Sequence, residues 1–201
     1  ALTRDEAAER KAAAFLLGDN LERTTQGGGI YTYTSQQGAA AFRDTGSFDA
    51  AGSLSQENAE AFCRDFCKAF SYDTPIFTLD ETGSGTATAV RLWNGTPVFN
   101  AAVTFTIDQG RVLSASGALL PETGAETSSG QKPLSAFAAL TAFQQMRHAS
   151  SSVVSSITEV SLCYELQSTT AAPMALVPSW RIVTDTATFY VNCISGTVRR
   201  A

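Results

Sequence analysis

One histidine, His148, stands in 201 residues, so a nucleophile activated by an imidazole base would have to meet that side chain. Its neighbours Arg147, Ala149 and Ser150 to Ser152 read as a helix end, where an imidazole is favoured by the helix dipole without any catalytic task. Paired carboxylates are the other general route to hydrolysis, and the nearest pairs are Asp80-Glu81, Asp5-Glu6 and Glu57 with Glu60. All fall at turns or on polar helix faces, where acidic side chains serve as solvated or dipole-matching charges. The run Gly27-Gly28-Gly29 lacks the Lys-Ser or Lys-Thr and the following helix of a phosphate loop, and reads as a hairpin connection. Calcium loops, C-x-x-C pairs, the nucleophile elbow and dinucleotide-binding glycines are absent from the sequence at usable spacing. No catalytic, cofactor-binding or metal-ligating residue is assigned, no cofactor is expected, and the chain is expected not to be an enzyme.

The cysteines Cys63, Cys67, Cys163 and Cys193 are too few for a disulfide scaffold of this length, and the first two sit four apart on one expected helix. Zinc would need four converging ligands, so the favoured reading is small buried residues, with a Cys163 to Cys193 bridge left open. Only 16% of residues are charged and the formal net charge is -5, which removes the basic surface that nucleic acid requires and weakly disfavours an anionic membrane. No apolar run of about 18 residues occurs, and the opening ALTRDEAAERK is helical and charged rather than signal-like. The first residue is Ala rather than Met, which suggests a truncated or processed chain, and the Ser, Thr, Ala and Gly richness loosely fits an exported protein.

The spacing Thr3-Arg4-Asp5-Glu6 predicts a capping box opening a helix that runs to Leu17 and stops at Gly18. Strands are expected at Leu21 to Thr25, Ile30 to Ser35 and Ala39 to Ala51. Ser55 then caps a helix from Gln56 to Phe70, with Ala59, Phe62, Cys63, Phe66, Ala69 and Phe70 on one face. Further strands follow at Pro75 to Asp80, Ala87 to Trp93, Pro97 to Ile107 and Arg111 to Ser116, joined in part by Asn94-Gly95 and Asp108-Gln109-Gly110 turns. Asn94-Gly95-Thr96 also matches a glycosylation sequon, but the turn explains it. Pro121 to Lys132 is polar, Gly- and Ser-rich and aperiodic, the best linker candidate. Pro133 opens a third helix to about His148, followed by a strand from Ser155 to Gln167 and a ribbon from Val177 to Val198.

A frame recurs within the chain. Val103-x-Phe105-x-Ile107-x-x-Gly110-x-Val112 lies over Phe189-x-Val191-x-Cys193-x-x-Gly196-x-Val198, and Tyr31, Tyr33 and Gly38 give a weaker first copy. The expected fold class is α+β: repeated helix plus antiparallel β-meander modules, with helices packed on one face of the sheets. Residues 1–120 form an N-terminal domain of two such units (1–54 and 55–120), residues 121–132 a linker, and residues 133–201 a C-terminal domain.

The run Asn192-Cys193-Ile194-Ser195-Gly196-Thr197-Val198 resembles the closing signature of PepSY-type modules. With Leu176 to Ile182 and Ile157-x-x-Val160-x-Leu162-x-Tyr164, it resembles the last domain of YycH/YycI-type proteins. Trp93-x-Gly95-x-Pro97-Val98-Phe99 and Gly38 through Phe42 to Gly46-x-Phe48 look like earlier parts of the same family. The resemblance implies a bacterial, membrane-anchored protein on the extracytoplasmic face of the cell membrane. Its partner would be a sensor histidine kinase of cell-wall homeostasis, modulated by protein contacts, and its N-terminal anchor is absent from this sequence. It carries over no catalytic residue. A PepSY-like inhibitor or chaperone of a secreted peptidase is the alternative, and an unrecognised enzyme comes third.

Overall fold

The computed structural model describes residues 1–55, 58–121, 132–150, 153–170 and 172–201. A helix followed by four antiparallel strands occurs three times. The first unit is α1 (Glu6–Leu17) with β1 (Glu22–Thr25), β2 (Tyr31–Ser35), β3 (Gly38–Phe42) and β4 (Ser47–Gly52). The second is α2 (Ala59–Ala69) with β5 (Ile76–Leu79), β6 (Gly85–Trp93), β7 (Thr96–Asp108) and β8 (Arg111–Ala118). The third is α3 (Ala136–Ser150) with β9 (Ile157–Gln167), β10 (Ala175–Thr184), β11 (Thr188–Asn192) and β12 (Val198–Arg200). The α+β class and the helix-plus-meander repeat are therefore as expected. Of the expected linker, residues 122–131 lie outside the described residues.

Local chemistry moves several boundaries. Asp5, not Thr3, caps α1: its carboxylate accepts from the Ala8 amide at 3.0 Å. Arg4 explains the delay, because its guanidinium donates to Glu9 at 2.7 Å and 2.8 Å and to the Phe42 carbonyl at 3.1 Å, holding the preceding chain outside the helix. Asn58, not Ser55, caps α2, accepting from the Ala61 amide at 3.1 Å. The Ser55 amide donates to the Val112 carbonyl, which holds Ser55 beside β8, ahead of the helix start. Gln56 and Glu57 lie outside the described residues. Ser135 begins α3 by accepting from the Ala138 amide at 3.3 Å. The helix starts after Pro133 because the Leu134 amide first bonds the Cys193 carbonyl at 2.8 Å.

The expected strand from Ala39 to Ala51 is two strands. Gly46 takes a φ of 82°, which turns the chain at little steric cost, and the Gly46 amide bonds the Arg43 carbonyl at 2.9 Å. This corrects the first copy of the recurring frame. The hairpin equivalent to β7-β8 and β11-β12 is β3-β4, so Ala40, Phe42, Gly46 and Phe48 occupy the frame, not Tyr31, Tyr33 and Gly38. One additional turn residue before Gly46 hides the match.

β4 pairs antiparallel with β8, so the first two units make one sheet in the order β1-β2-β3-β4-β8-β7-β6-β5. α1 and α2 lie together on one face of it. Their shared core holds Leu16, Phe42, Phe48, Cys63, Phe66 and Phe105, with Phe66 at the middle of a ring cluster whose centroids lie 4.7 to 6.2 Å from its own. Burying one such ring contributes roughly 2–3 kcal/mol. Arg91, 2% exposed, threads the second unit by donating to the carbonyls of Ser71 and Leu92, both at 2.6 Å, and of Leu120 at 3.3 Å. It sits where the β6-β7 register shifts, so its side chain fastens an irregularity that a simple alternation would not have.

The third unit joins through β7, which runs parallel to β9 with Val98 opposite Tyr164. A second apolar cluster fills this junction: Leu2, Trp93, Val98, Ala101, Leu120 and Met174. Leu2 also forms an isolated antiparallel bridge with Met174. α3 covers a third core of Phe143, Ile182, Phe189 and Val191. Trp180 joins this core, as the alternation through Val177 to Val198 predicts, and its indole N–H donates to the Leu134 carbonyl at 2.9 Å. Among the described residues, the strands paired on one side only are β1, β5 and β12.

Candidate binding site on the third unit

The residues with chemical potential in the sequence are spread across the fold and mostly spent locally. His148 is exposed near the end of α3. The Asp80 carboxylate accepts from the Thr82 hydroxyl at 2.7 Å and from the amides of Thr82 and Ser84 at 2.8 Å and 3.0 Å. These bonds, the hydroxyl first, hold it below the usual carboxylate range. Asp5 is a cap, and Glu6 accepts from Arg23 at 2.9 Å and Tyr31 at 3.1 Å, which holds it low as well. Glu60 pairs with Arg64 at 3.3 Å, one helical turn away. Gly27, Gly28 and Gly29, all at positive φ, connect β1 to β2 as expected. Among the described residues no three His, Cys, Asp or Glu side chains converge as a metal would need, and no helix is long and apolar enough to cross a membrane.

All four cysteines are free and buried, so no bridge joins Cys163 to Cys193. Burial pushes the Cys63, Cys67 and Cys163 thiols up to about 12 and raises Cys193 too. They behave as small apolar residues. Cys163 donates its thiol proton to the Ser179 carbonyl across the β9-β10 ladder at 3.3 Å.

Two features of the third unit stand out as places for a partner. One is an apolar groove of about 420 Å³ between α3 and the turn after β11, lined by Leu134, Phe137, Ala142 and Ile194. Phe137 is 81% exposed on its rim and Ile194 41%. The groove exists because Ile194 and Gly196 lie in the turn that joins β11 to β12, held by Asn192. Its side-chain oxygen accepts from the amides of Ile194 and Ser195 at 2.8 Å and 2.9 Å. Thus the run from Asn192 to Val198 shapes one wall of the groove.

The other lies on the opposite face of the same sheet. Because Trp180 and Ile182 point at α3, the pleat sends Ser179 and Arg181 to the outer side. Pairing places Cys163, Ser179 and Asn192 in one row and Ser161, Arg181, Tyr190 and Arg199 in the next. Glu165 on β9 and Arg199 on β12 meet at 2.7 Å, so their pair spans the two intervening strands. Phe99 reaches in from β7 and stacks on Tyr190, with ring centroids 3.6 Å apart and planes 13° apart, and the Arg199 guanidinium lies 5.3 Å from the Phe99 ring. Of these, Glu165, Ser179, Tyr190, Asn192 and Arg199 help bound a polar concavity of about 280 Å³. On its floor Ser179 is fully buried, and its hydroxyl has no hydrogen-bond partner.

Sequence reasoning did not single out Glu165, Ser179 or Arg199, and Phe99 and the run from Asn192 to Val198 entered only through the family resemblance. Ser179 alternates with Trp180 and Ile182, which marks it as outward-facing but not as buried. Phe137 is different: it falls outside the apolar stripe Ala136, Ala139, Leu140, Phe143 and Met146 of α3, a signal that was present in the helical spacing.

No family model matches the chain, and no curated protein does either. Among solved structures, the chain is similar to the YpeB C-terminal domain of Bacillus megaterium. The two are 13% identical over 100% of this chain and 99% of that one, with a TM-score of 0.44. It is also similar to an uncharacterized protein from Eubacterium rectale ATCC 33656, 13% identical over 98% of this chain and 77% of that one, with a TM-score of 0.52. This second likeness shows a shared fold.

Proposed function

We propose that the chain is a non-enzymatic binding and regulatory protein of YycH/YycI type, with a PepSY-like third unit, working on the extracytoplasmic face of a bacterial cell membrane. Its partner in this reading is a membrane sensor histidine kinase of cell-wall homeostasis, modulated by protein contacts, with membrane association through an N-terminal anchor. The observation that carries the binding role is the groove between α3 and the Ile194 turn, whose rim leaves Phe137 almost wholly in water. An aromatic ring beside an apolar groove is the arrangement through which protein interfaces gain most of their affinity. The test is recovery of a sensor kinase from the native membrane with the full-length anchored protein, compared with its Phe137→Asp variant. Recovery that the variant abolishes supports the reading. If no kinase is recovered and deletion leaves kinase output unchanged, the kinase assignment fails.

A second reading, a PepSY-like inhibitor or chaperone of a secreted peptidase, is favoured by the edge strand β5. It carries Ile76 at 74% exposure and Leu79 at 36%, its own four residues include no Lys or Arg, and the nearby Arg64 guanidinium lies over the Phe77 ring at 5.2 Å. An extended peptide segment can add to such an edge. Purified protein that slows a co-secreted peptidase, with the effect lost on introducing Lys at Thr78 (Thr78→Lys), would favour this reading over the first.

A further inference from the structure

The polar concavity on the outer face of β9–β12 is built more elaborately than a sheet surface requires. A buried serine hydroxyl without a partner is destabilising, and is ordinarily avoided by rotating it onto a neighbouring carbonyl or opening it to solvent. Here Ser179 keeps that vacancy at the floor of a space large enough for a small molecule. The walls carry one group of each charge. Glu165, whose side chain is 13% exposed, accepts from Gln167 at 3.2 Å through one oxygen and from Arg199 at 2.7 Å through the other. Arg199 is 54% exposed and belongs to a three-residue edge strand, so it is the member of the pair free to move. The second cation on this face, Arg181, is engaged by Glu159 at 2.8 Å.

We propose that this concavity binds a free α-amino acid, which inserts into the Glu165–Arg199 ion pair above Ser179. Its ammonium takes the position of the Arg199 guanidinium on Glu165, and its carboxylate takes that of Glu165 on Arg199. The exchange replaces one ion pair by two and leaves the formal charge of the site unchanged. Ser179 supplies the hydrogen bond that its buried hydroxyl lacks. The Tyr190 ring, held in place by its stacking on Phe99, gives the ligand side chain an aromatic wall. A singly charged ligand is disfavoured, since it would satisfy one wall and leave the other charge without its partner. The volume matches that of a small molecule.

Titration of the isotopically labelled 201-residue chain with a panel of free amino acids, followed by amide NMR, tests this assignment. The expected result is saturable shifts at Glu165, Ser179 and Arg199 for at least one free amino acid and none for its N-acetyl amide. Ser179→Ala should weaken binding about tenfold, as loss of one good hydrogen bond does. Arg199→Gln, at an exposed edge where folding is undisturbed, should weaken it at least as much. Absence of saturable shifts up to about 10 mM, a range that covers even millimolar affinity, overturns the proposal. So does an equal response to the blocked amide, or binding undiminished in Arg199→Gln.

Discussion

Asn100 on β7 and Leu166 on β9 are joined by two hydrogen bonds of 2.7 Å, the side-chain amide donating to the Leu166 carbonyl and its oxygen accepting from the Leu166 amide. The side chain thereby imitates a peptide group between two strands whose ladder register contains one residue pair, Val98 with Tyr164. Asn100→Ala should lower the unfolding free energy by about 1–2 kcal/mol, the net worth of two exposed bonds. Asn100→Asp should cost more, because a carboxylate would face the Leu166 carbonyl with no proton to give. Urea denaturation of the two variants beside the parent chain checks both the loss and the order.

Phe66 is the second point of leverage. It is fully buried and touches rings from α1, α2 and the sheet, so Phe66→Ala should cost about 3–5 kcal/mol, with Phe66→Leu intermediate. A Phe66→Ala midpoint within the error of the parent would show that the two helices do not share a core.

Thiol reactivity offers a direct reading of the interior. With Cys63, Cys67 and Cys163 pushed up to about 12 by burial and Cys193 raised likewise, none should react measurably with an aromatic disulfide at pH 8 in the native state. All four should react once the chain is unfolded, without added reductant, because all four are free. A count of two would mean a bridge.

The Asp80 turn predicts a particular pH response. A carboxylate held below its unfolded value contributes stability that is present above the ordinary carboxylate range and is lost as pH falls through the lower, folded value. Thr82→Ala removes the leading hydrogen bond and should move the Asp80 titration up toward the ordinary range, visible in side-chain carboxylate NMR. Glu9 has the opposite sign. Burial raises it in spite of Arg4, so its ionisation weakens the fold as pH climbs from the ordinary range through the raised value. Thr82→Ala should leave the Glu9 titration where it was.

Periodic apolar spacing made most of the architecture readable. α1 ends at Gly18 as expected, and the second and third units follow from Phe105, Val112, Phe189 and Val191, whose alternation is local. What escaped was decided by distant partners. Thr3 has the form of a helix cap, but Arg4 is claimed by Glu9, Phe42 and the Gly29 carbonyl, a choice made by residues far along the chain. Ser55 likewise has the form of a cap, and β8 takes its amide. The turn at Gly46 was hidden by small residues on both sides, Ala39 to Ala41 and Ala50 to Gly52, which carry no strong period. The candidate site was least legible. Glu165, Ser179 and Arg199 belong to three strands, and their meeting depends on the pairing of β9 to β12, which no spacing within one strand records.

The bridge between Leu2 and Met174 has a mechanical consequence. A load applied at Ala1 is transmitted first to the segment leading into β10, before it reaches the body of α1. Tension on the chain's first residues would act on one short seam, a single backbone bridge set in the buried cluster of Leu2, Trp93 and Met174. Parting that seam would free the first residues alone, because the third unit stays held through Val98 opposite Tyr164 and through the two Asn100–Leu166 bonds.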